Sequence, residues 1–161
     1  MTNPVFFQEI FSRYLGESGW NGVDALAYKD EDGNPSFKHV TRMKLVAEGS
    51  PDGTELRYFE IGVGGHTTLE KHEHTHTVIP IKGEGAILVE DRVLELKTND
   101  VVYVPTWAWH QVRAVGNEPF GFLCIVKVER DRPTLPTAQE IEELKLNPEI
   151  AQFIKPRAVN P

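Results

Sequence analysis

Three of the six histidines, His72, His74 and His76, fall within five residues, and His110 follows at a distance. Neutral imidazoles are common ligands of divalent metals, so this spacing points to metal chemistry. In a β-strand every second side chain shares a face, so Glu70, His72, His74 and His76 have one parity and are placed to meet in one cavity. The competing reading is a polar strand face whose histidines meet only water. Three imidazoles and one carboxylate suit Mn, Fe, Co, Ni, Cu or Zn and would leave an oxygen-seeking Ca site unsatisfied.

Other residue types add less. Cys124 is the one cysteine, which excludes an intrachain disulfide and a thiolate zinc cluster. Phe122, Cys124 and Val126 share one face of a strand and Leu123 and Ile125 the other, a pattern that predicts burial on both sides. Cys124 then reads as a small packed hydrophobe, without an obvious base or cation beside it in sequence. Arg42, Arg57 and Tyr58 are candidate contacts for a substrate carboxylate or phosphate, since guanidinium pairs with such groups bidentately. Surface arginines lying over apolar faces are the equal alternative. The segment Thr41 to Leu45 alternates cleanly, but which parity faces inward is open.

These residues need a sheet to position them. From Thr41 onward, short runs rich in β-branched and aromatic residues alternate with turn signals such as Gly64-Gly65, Gly83 and Gly116-Asn117-Glu118-Pro119. The runs predict strands at 41–47, 56–63, 67–72, 76–82, 85–90, 92–97, 101–104, 110–115 and 120–128. Strands this short and this closely spaced predict an all-β fold, an antiparallel sandwich or jelly-roll barrel. Residues 1–40 read as an N-terminal extension of the same domain, with a helix-like stretch at about 8–15 and a turn-rich segment at 30–35. Residues 129–161 read as a helical tail covering a sheet face or edge. In it, Thr137 and Glu140 form a capping-box pattern that opens a helix at 138–146, and Asn147-Pro148 opens a second to about 154.

The chain's 161 residues suit one domain. Seventeen Lys and Arg stand against 24 Asp and Glu, a formal charge of −7, which disfavours nucleic acid and anionic membrane as partners. No apolar run approaches a membrane span and no secretory leader pattern opens the sequence, so a cytoplasmic location and a small-molecule substrate are the expectations.

The motif spacing resembles the cupin superfamily. Its first motif runs Gly, five residues, His-x-His, three or four residues, Glu, six residues, Gly, and here Gly64, Glu70, His72, His76 and Gly83 occupy those places. Its second motif falls on Asn99, Pro105, Trp107, His110 and Ala114, keeping Pro105 and His110 while losing both glycines and the Asn. The resemblance covers about residues 41–128. It implies a double-stranded β-helix and one divalent metal, Mn or Fe favoured, held by Glu70, His72, His76 and His110. His74 is then either an alternative ligand or a residue behind the ligands. Trp107, which replaces a motif glycine and leaves the turn geometry open, and Trp109 stand where the resemblance puts the barrel mouth. They read as walls of a substrate pocket or as ordinary packing.

A narrower resemblance rests on Gly65 to His72, Trp107 to Gln111, Gly121 to Cys124 and Arg130 to Pro133. Those strings are similar to single-domain bacterial cupins of a methylthio-sugar salvage branch, which resemble methylthioxylulose-phosphate methylsulfurylases that release a methylthio group to a thiol. It implies a metal-dependent enzyme acting on a sugar phosphate through an enediolate. A metal-dependent dioxygenase and a non-catalytic metal- or small-molecule-binding barrel are the other readings. Cupins commonly pair through their sheets, so a homodimer is expected.

Overall fold

In a computed structural model, residues 12–17, 19–27, 37–46 and 53–157 are described. The strands are β1 (Tyr14–Gly16), β2 (Gly19–Trp20), β3 (Leu26–Ala27), β4 (Lys38–Val46), β5 (Thr54–His66), β6 (His76–Lys82), β7 (Gly85–Val89), β8 (Arg92–Leu96), β9 (Val102–Val104), β10 (His110–Ala114) and β11 (Phe120–Lys127). Two short helices follow, α1 (Ala138–Leu144) and α2 (Pro148–Phe153). The main sheet runs β8-β7-β10-β5-β11-β6-β9, with β4 on β5 and β3 on β4, and the printed strand pairs are antiparallel. The fold is an all-β jelly-roll barrel.

β5 builds two walls. Its first half pairs with β11, and its last residue, His66, pairs with Arg113 of β10. The change of direction falls at Gly64-Gly65. Gly64 has φ +69°, and a Cβ on Gly65 would stand 2.5 Å from the Lys38 carbonyl oxygen, so only glycine fits that bend.

Pairing settles which side chains face inward. Val40 lies opposite Ile61 and Arg42 opposite Phe59, so Arg42 turns into the barrel with Arg57 and Phe59. Phe120, Phe122, Cys124 and Val126 of β11 fill the same interior with Val78, Ile87 and Val112. A second core lies on the far side of β7. There Leu69, Ala86 and Leu88 meet Ile141 of α1 and Ile150, Phe153 and Ile154 at α2. The helices begin as the sequence predicts. Thr137 and Glu140 form the reciprocal capping box, and Asn147 caps α2 with Pro148 in its first turn.

Three expectations need correction. Residues 67–72 form no strand. Thr67 bonds to Val112 and Glu70 to His110, so three steps on one side span two on the other, and the bulge reduces the pairing to bridges at Glu70 and Lys71. β11 is buried on its inner face alone, because the helices cover β7 and β10 instead and leave Ile125 40% exposed. Tyr14–Gly16 is a strand rather than part of a helix. Gly16, at φ +79°, turns the chain so that Tyr14 and Trp20 pair, their rings 5.0 Å apart. The remainder of the predicted helix, 8–11, and the turn segment 30–35 lie outside the described residues.

Candidate metal centre

The barrel encloses a cavity of about 260 Å3, lined by His72, His76 and His110 with Arg42, Arg57, Glu70, Cys124 and Asp131 among others. Three elements deliver the imidazoles. His76 opens β6, His110 opens β10, and His72 precedes the bend at 73–74. One nitrogen from each lies within 4.8 Å of the other two. The rings neighbour one another at centroid distances of 4.6 Å for His72 and His110, 5.0 Å for His76 and His110, and 5.2 Å for His72 and His76.

Each Nδ1 has a contact of its own. His72 Nδ1 contacts the His74 carbonyl oxygen at 2.7 Å, His110 Nδ1 the Ala108 carbonyl oxygen at 2.9 Å, and His76 Nδ1 the Cys124 sulfur at 3.3 Å. Such contacts fix the ring orientation and make Nε2 the candidate donor atom. Nε2 of His76 is buried without a hydrogen-bond partner among the described residues. Burial, reinforced by the neighbouring His110, pulls the His72 pKa down to about 4. Burial, with His110 and His72 nearby, likewise holds His76 well below the usual imidazole range. Neutral imidazoles with converging nitrogens are what a divalent cation requires of histidine ligands, and the lowered pKa of His72 and His76, with a His76 Nε2 that lacks a partner among the described residues, fits such an ion.

The other sequence-predicted residues divide. Glu70 is buried, lines the cavity and pairs its backbone with His110, but it is not one of the three converging donors. His74 lines the cavity with its ring stacked on His72 at 3.6 Å, and its Nδ1 lies 2.6 Å from Asp131 Oδ1. Arg42 and Arg57 line the cavity, each with a buried Nε that has no partner among the described residues. Tyr58 does not line it. Its side chain points to the outer face, donates to Glu60 at 2.9 Å and fills the space where a Cβ on Gly121 would collide with the phenol.

Neither tryptophan lines the cavity. Trp107 is 51% exposed and adopts φ +60°, the left-handed geometry of the motif glycine it replaces. Its backbone N–H donates to the His72 carbonyl oxygen at 2.7 Å, which ties this turn to the segment that carries His72. Trp109 packs against the second core, under the Lys71 ammonium at 4.2 Å.

Two contributors were not legible from sequence. Cys124 faces the cavity, with Arg57 Nη2 donating to its sulfur at 3.2 Å. Burial pushes its thiol pKa up, and the Arg57 guanidinium opposes that shift. Asp131 enters from the segment after β11. Burial opposes its ionisation, yet hydrogen bonds from Glu73 N–H and His74 hold its carboxyl well below the usual range. The parity of Cys124 was readable but its face was not, and Asp131 fell within a string that carries the narrower resemblance without being given a role by it.

Comparison with known proteins agrees with this architecture. The Cupin domain profile, Cupin_2, matches residues 57–126. A 1-methylthio-D-xylulose 5-phosphate methylsulfurylase from Rhodospirillum rubrum is 44% identical over 144 residues, 89% of this chain and 91% of that protein. The crystal structure of a cupin 2 conserved barrel domain protein from Rhodopseudomonas palustris superposes with a TM-score of 0.84 at 39% identity, covering 92% of this chain and 99% of that one. A cupin-2 domain from Rhodospirillum rubrum superposes with a TM-score of 0.80 at 45% identity, covering 89% and 95%. The chain belongs to the cupin superfamily, as a single-domain barrel of the Cupin_2 type. No helix among the described residues is long and apolar enough to cross a membrane.

Proposed function

We propose that the chain is a metal-dependent enzyme that transfers the methylthio group of a small keto-sugar phosphate to a thiol. The observation that carries this reading is the cavity thiol, Cys124, set between Arg57 and His76 on the wall shared with the three converging imidazoles. The methylsulfurylase relative, 44% identical across most of both chains, supports the substrate class.

His72, His76 and His110 would hold the divalent ion, Mn or Fe favoured, with Glu70 the candidate fourth ligand. When bound, the ion would supply Lewis acidity toward the substrate's carbonyl and hydroxyl oxygens. With a metal held at Nε2, His76 would keep its proton on Nδ1 as a hydrogen-bond donor to Cys124 Sγ, beside the N–H that Arg57 donates. Both contacts favour the thiolate against the cost of burial.

The thiolate attacks the methylthio sulfur. A sulfur–sulfur bond forms, the carbon–sulfur bond breaks, and its electron pair passes to the carbon beside the ketone as an enolate. A proton, supplied overall by the external thiol, adds to that carbon and leaves a methyl ketone, with a methyl disulfide on Cys124. The chain has no second cysteine, so an external thiol must attack the methylthio sulfur, carry the group away and restore Cys124. Arg42, with an unpartnered Nε in the cavity, is the group suited to the substrate phosphate.

Elemental analysis of the purified protein, with turnover of 1-methylthioxylulose 5-phosphate under air and under nitrogen, tests the proposal. The expected result is a bound transition metal and thiol-dependent formation of deoxyxylulose phosphate, the same in both atmospheres. Cys124→Ser is expected to lower turnover at least about a thousandfold with metal content unchanged. No metal after reconstitution, or full activity in Cys124→Ser, overturns it, and oxygen consumption would favour the dioxygenase reading. The same proposal includes a cytoplasmic homodimer joined through the outer sheet face, where Tyr103 and Ile125 are exposed; a monomeric mass in solution contradicts the dimer.

A further inference from the structure

After β11 the chain runs along the metal cavity, with Arg130, Asp131 and Pro133 lining it. This strap is anchored on both sides of Asp131. Arg130 pairs with the buried Glu55 at 2.9 Å, and Thr134 exchanges two backbone hydrogen bonds with Lys71 at 2.8 and 3.0 Å. The strap therefore has attachments that do not involve the Asp131 side chain.

The carboxylate is spent on the ligand segment instead. Oδ2 accepts the Glu73 N–H at 2.8 Å, and Oδ1 accepts the His74 N–H at 3.0 Å and contacts His74 Nδ1 at 2.6 Å. Residues 73–75 lie between the bridge at Lys71 and the start of β6, where no strand ladder orders them. Next to the two peptides that Asp131 holds, the following one presents the His74 carbonyl oxygen to His72 Nδ1 at 2.7 Å, and the His74 ring lies flat on the His72 ring, 6° from parallel. A chain of contacts thus runs from Asp131 through residues 73 and 74 to a metal-ligating imidazole.

We infer that Asp131 is the positioning residue of the metal centre: by fixing residues 73 and 74 it sets the His72 imidazole and so the affinity of the three-histidine site for a divalent cation. The inference rests on the metal-binding reading above. It differs from the usual support of a ligand by a direct carboxylate partner, because it acts one residue removed, through backbone and ring stacking.

Cobalt(II) titration followed by visible absorption, with competition against a chelator, gives affinity and coordination geometry without any turnover assay. Asp131→Ala is expected to weaken cobalt binding about 10- to 100-fold and to alter the d–d spectrum. Asp131→Asn, which keeps one carbonyl acceptor, is expected between that variant and wild type, and it serves if the alanine variant fails to fold. Glu140→Gln breaks the 2.8 Å Lys71–Glu140 pair beside the strap without touching residues 73–74, and is expected to bind cobalt like wild type. Wild-type affinity in Asp131→Ala, or an equal loss in Glu140→Gln, overturns the inference while leaving the metal site standing. Failure of the wild-type protein to bind cobalt at all overturns both.

Discussion

The two faces of β10 do opposite work with the same backbone. His110 and Val112 line the cavity and Ala114 joins the inner core, whereas Gln111 and Arg113 look toward the helices. On the helical side polar atoms are spent. Gln111 is 0% exposed, donates through Nε2 to the carbonyl oxygens of Thr67 and Lys155, and accepts the Lys155 N–H. Arg113 donates to the Phe153 carbonyl oxygen at 2.7 Å. On the cavity side, Nε2 of His76 and Nε of Arg42 and Arg57 are buried and unpaired among the described residues. Buried polar groups are normally satisfied, so a cluster of open ones marks where the molecule keeps capacity for a ligand, and the closed ones mark architecture.

Substitutions on opposite sides should separate these roles. His76→Ala is expected to abolish stoichiometric metal binding and lower turnover by more than about a thousandfold, while unfolding at nearly the wild-type temperature. Phe153→Ala, in the second core, is expected to cost about 3 kcal/mol of stability with metal stoichiometry intact. Elemental analysis and denaturant unfolding of both variants decide the matter. If either variant loses both properties together, the separation fails.

Gln111→Ala is the next largest effect, about 2 kcal/mol, because it strands the backbone groups of Thr67 and Lys155. Limited proteolysis should detect the released C-terminal segment, with cobalt affinity unchanged. A further effect follows from pH. His72 binds its proton near pH 4 when folded and near 6.5 when unfolded, so between those values the unfolded chain holds more protons. The metal-free protein should therefore be fully stabilised above about pH 6.5 and lose stability as pH falls toward 4. The slope should flatten in His72→Gln, and an unchanged slope would remove His72 from the account. The smallest effect is Trp107→Gly. Relief of a left-handed backbone in a half-exposed residue is expected to stabilise by no more than about 1 kcal/mol, read as a shift in denaturant midpoint.

Much of this molecule is legible where the determining interactions are local. The capping box at Thr137 and Glu140 and the Asn147-Pro148 start depend on neighbours three residues away or fewer, and both form as their sequence predicts. The spacing of His72, His76 and His110 likewise survives into three converging nitrogens. What escaped depends on pairing between distant strands. Alternation places Phe122, Cys124 and Val126 together, but only the register of β11 against β5 and β6 turns that face inward. Asp131 reaches His74 across 57 residues of chain, a contact with no local pattern. Trp107 shows a different limit, since a tertiary hydrogen bond to His72 accompanies a backbone conformation that its residue type disfavours.

The solitary cysteine has an analytical consequence. Cys124 is 1% exposed and lines the cavity, so a reagent that consumes one thiol per chain reports on that compartment. The rate of such labelling becomes a gauge of how often the compartment admits a small molecule, and its slowing by an added compound becomes a direct count of occupied barrels.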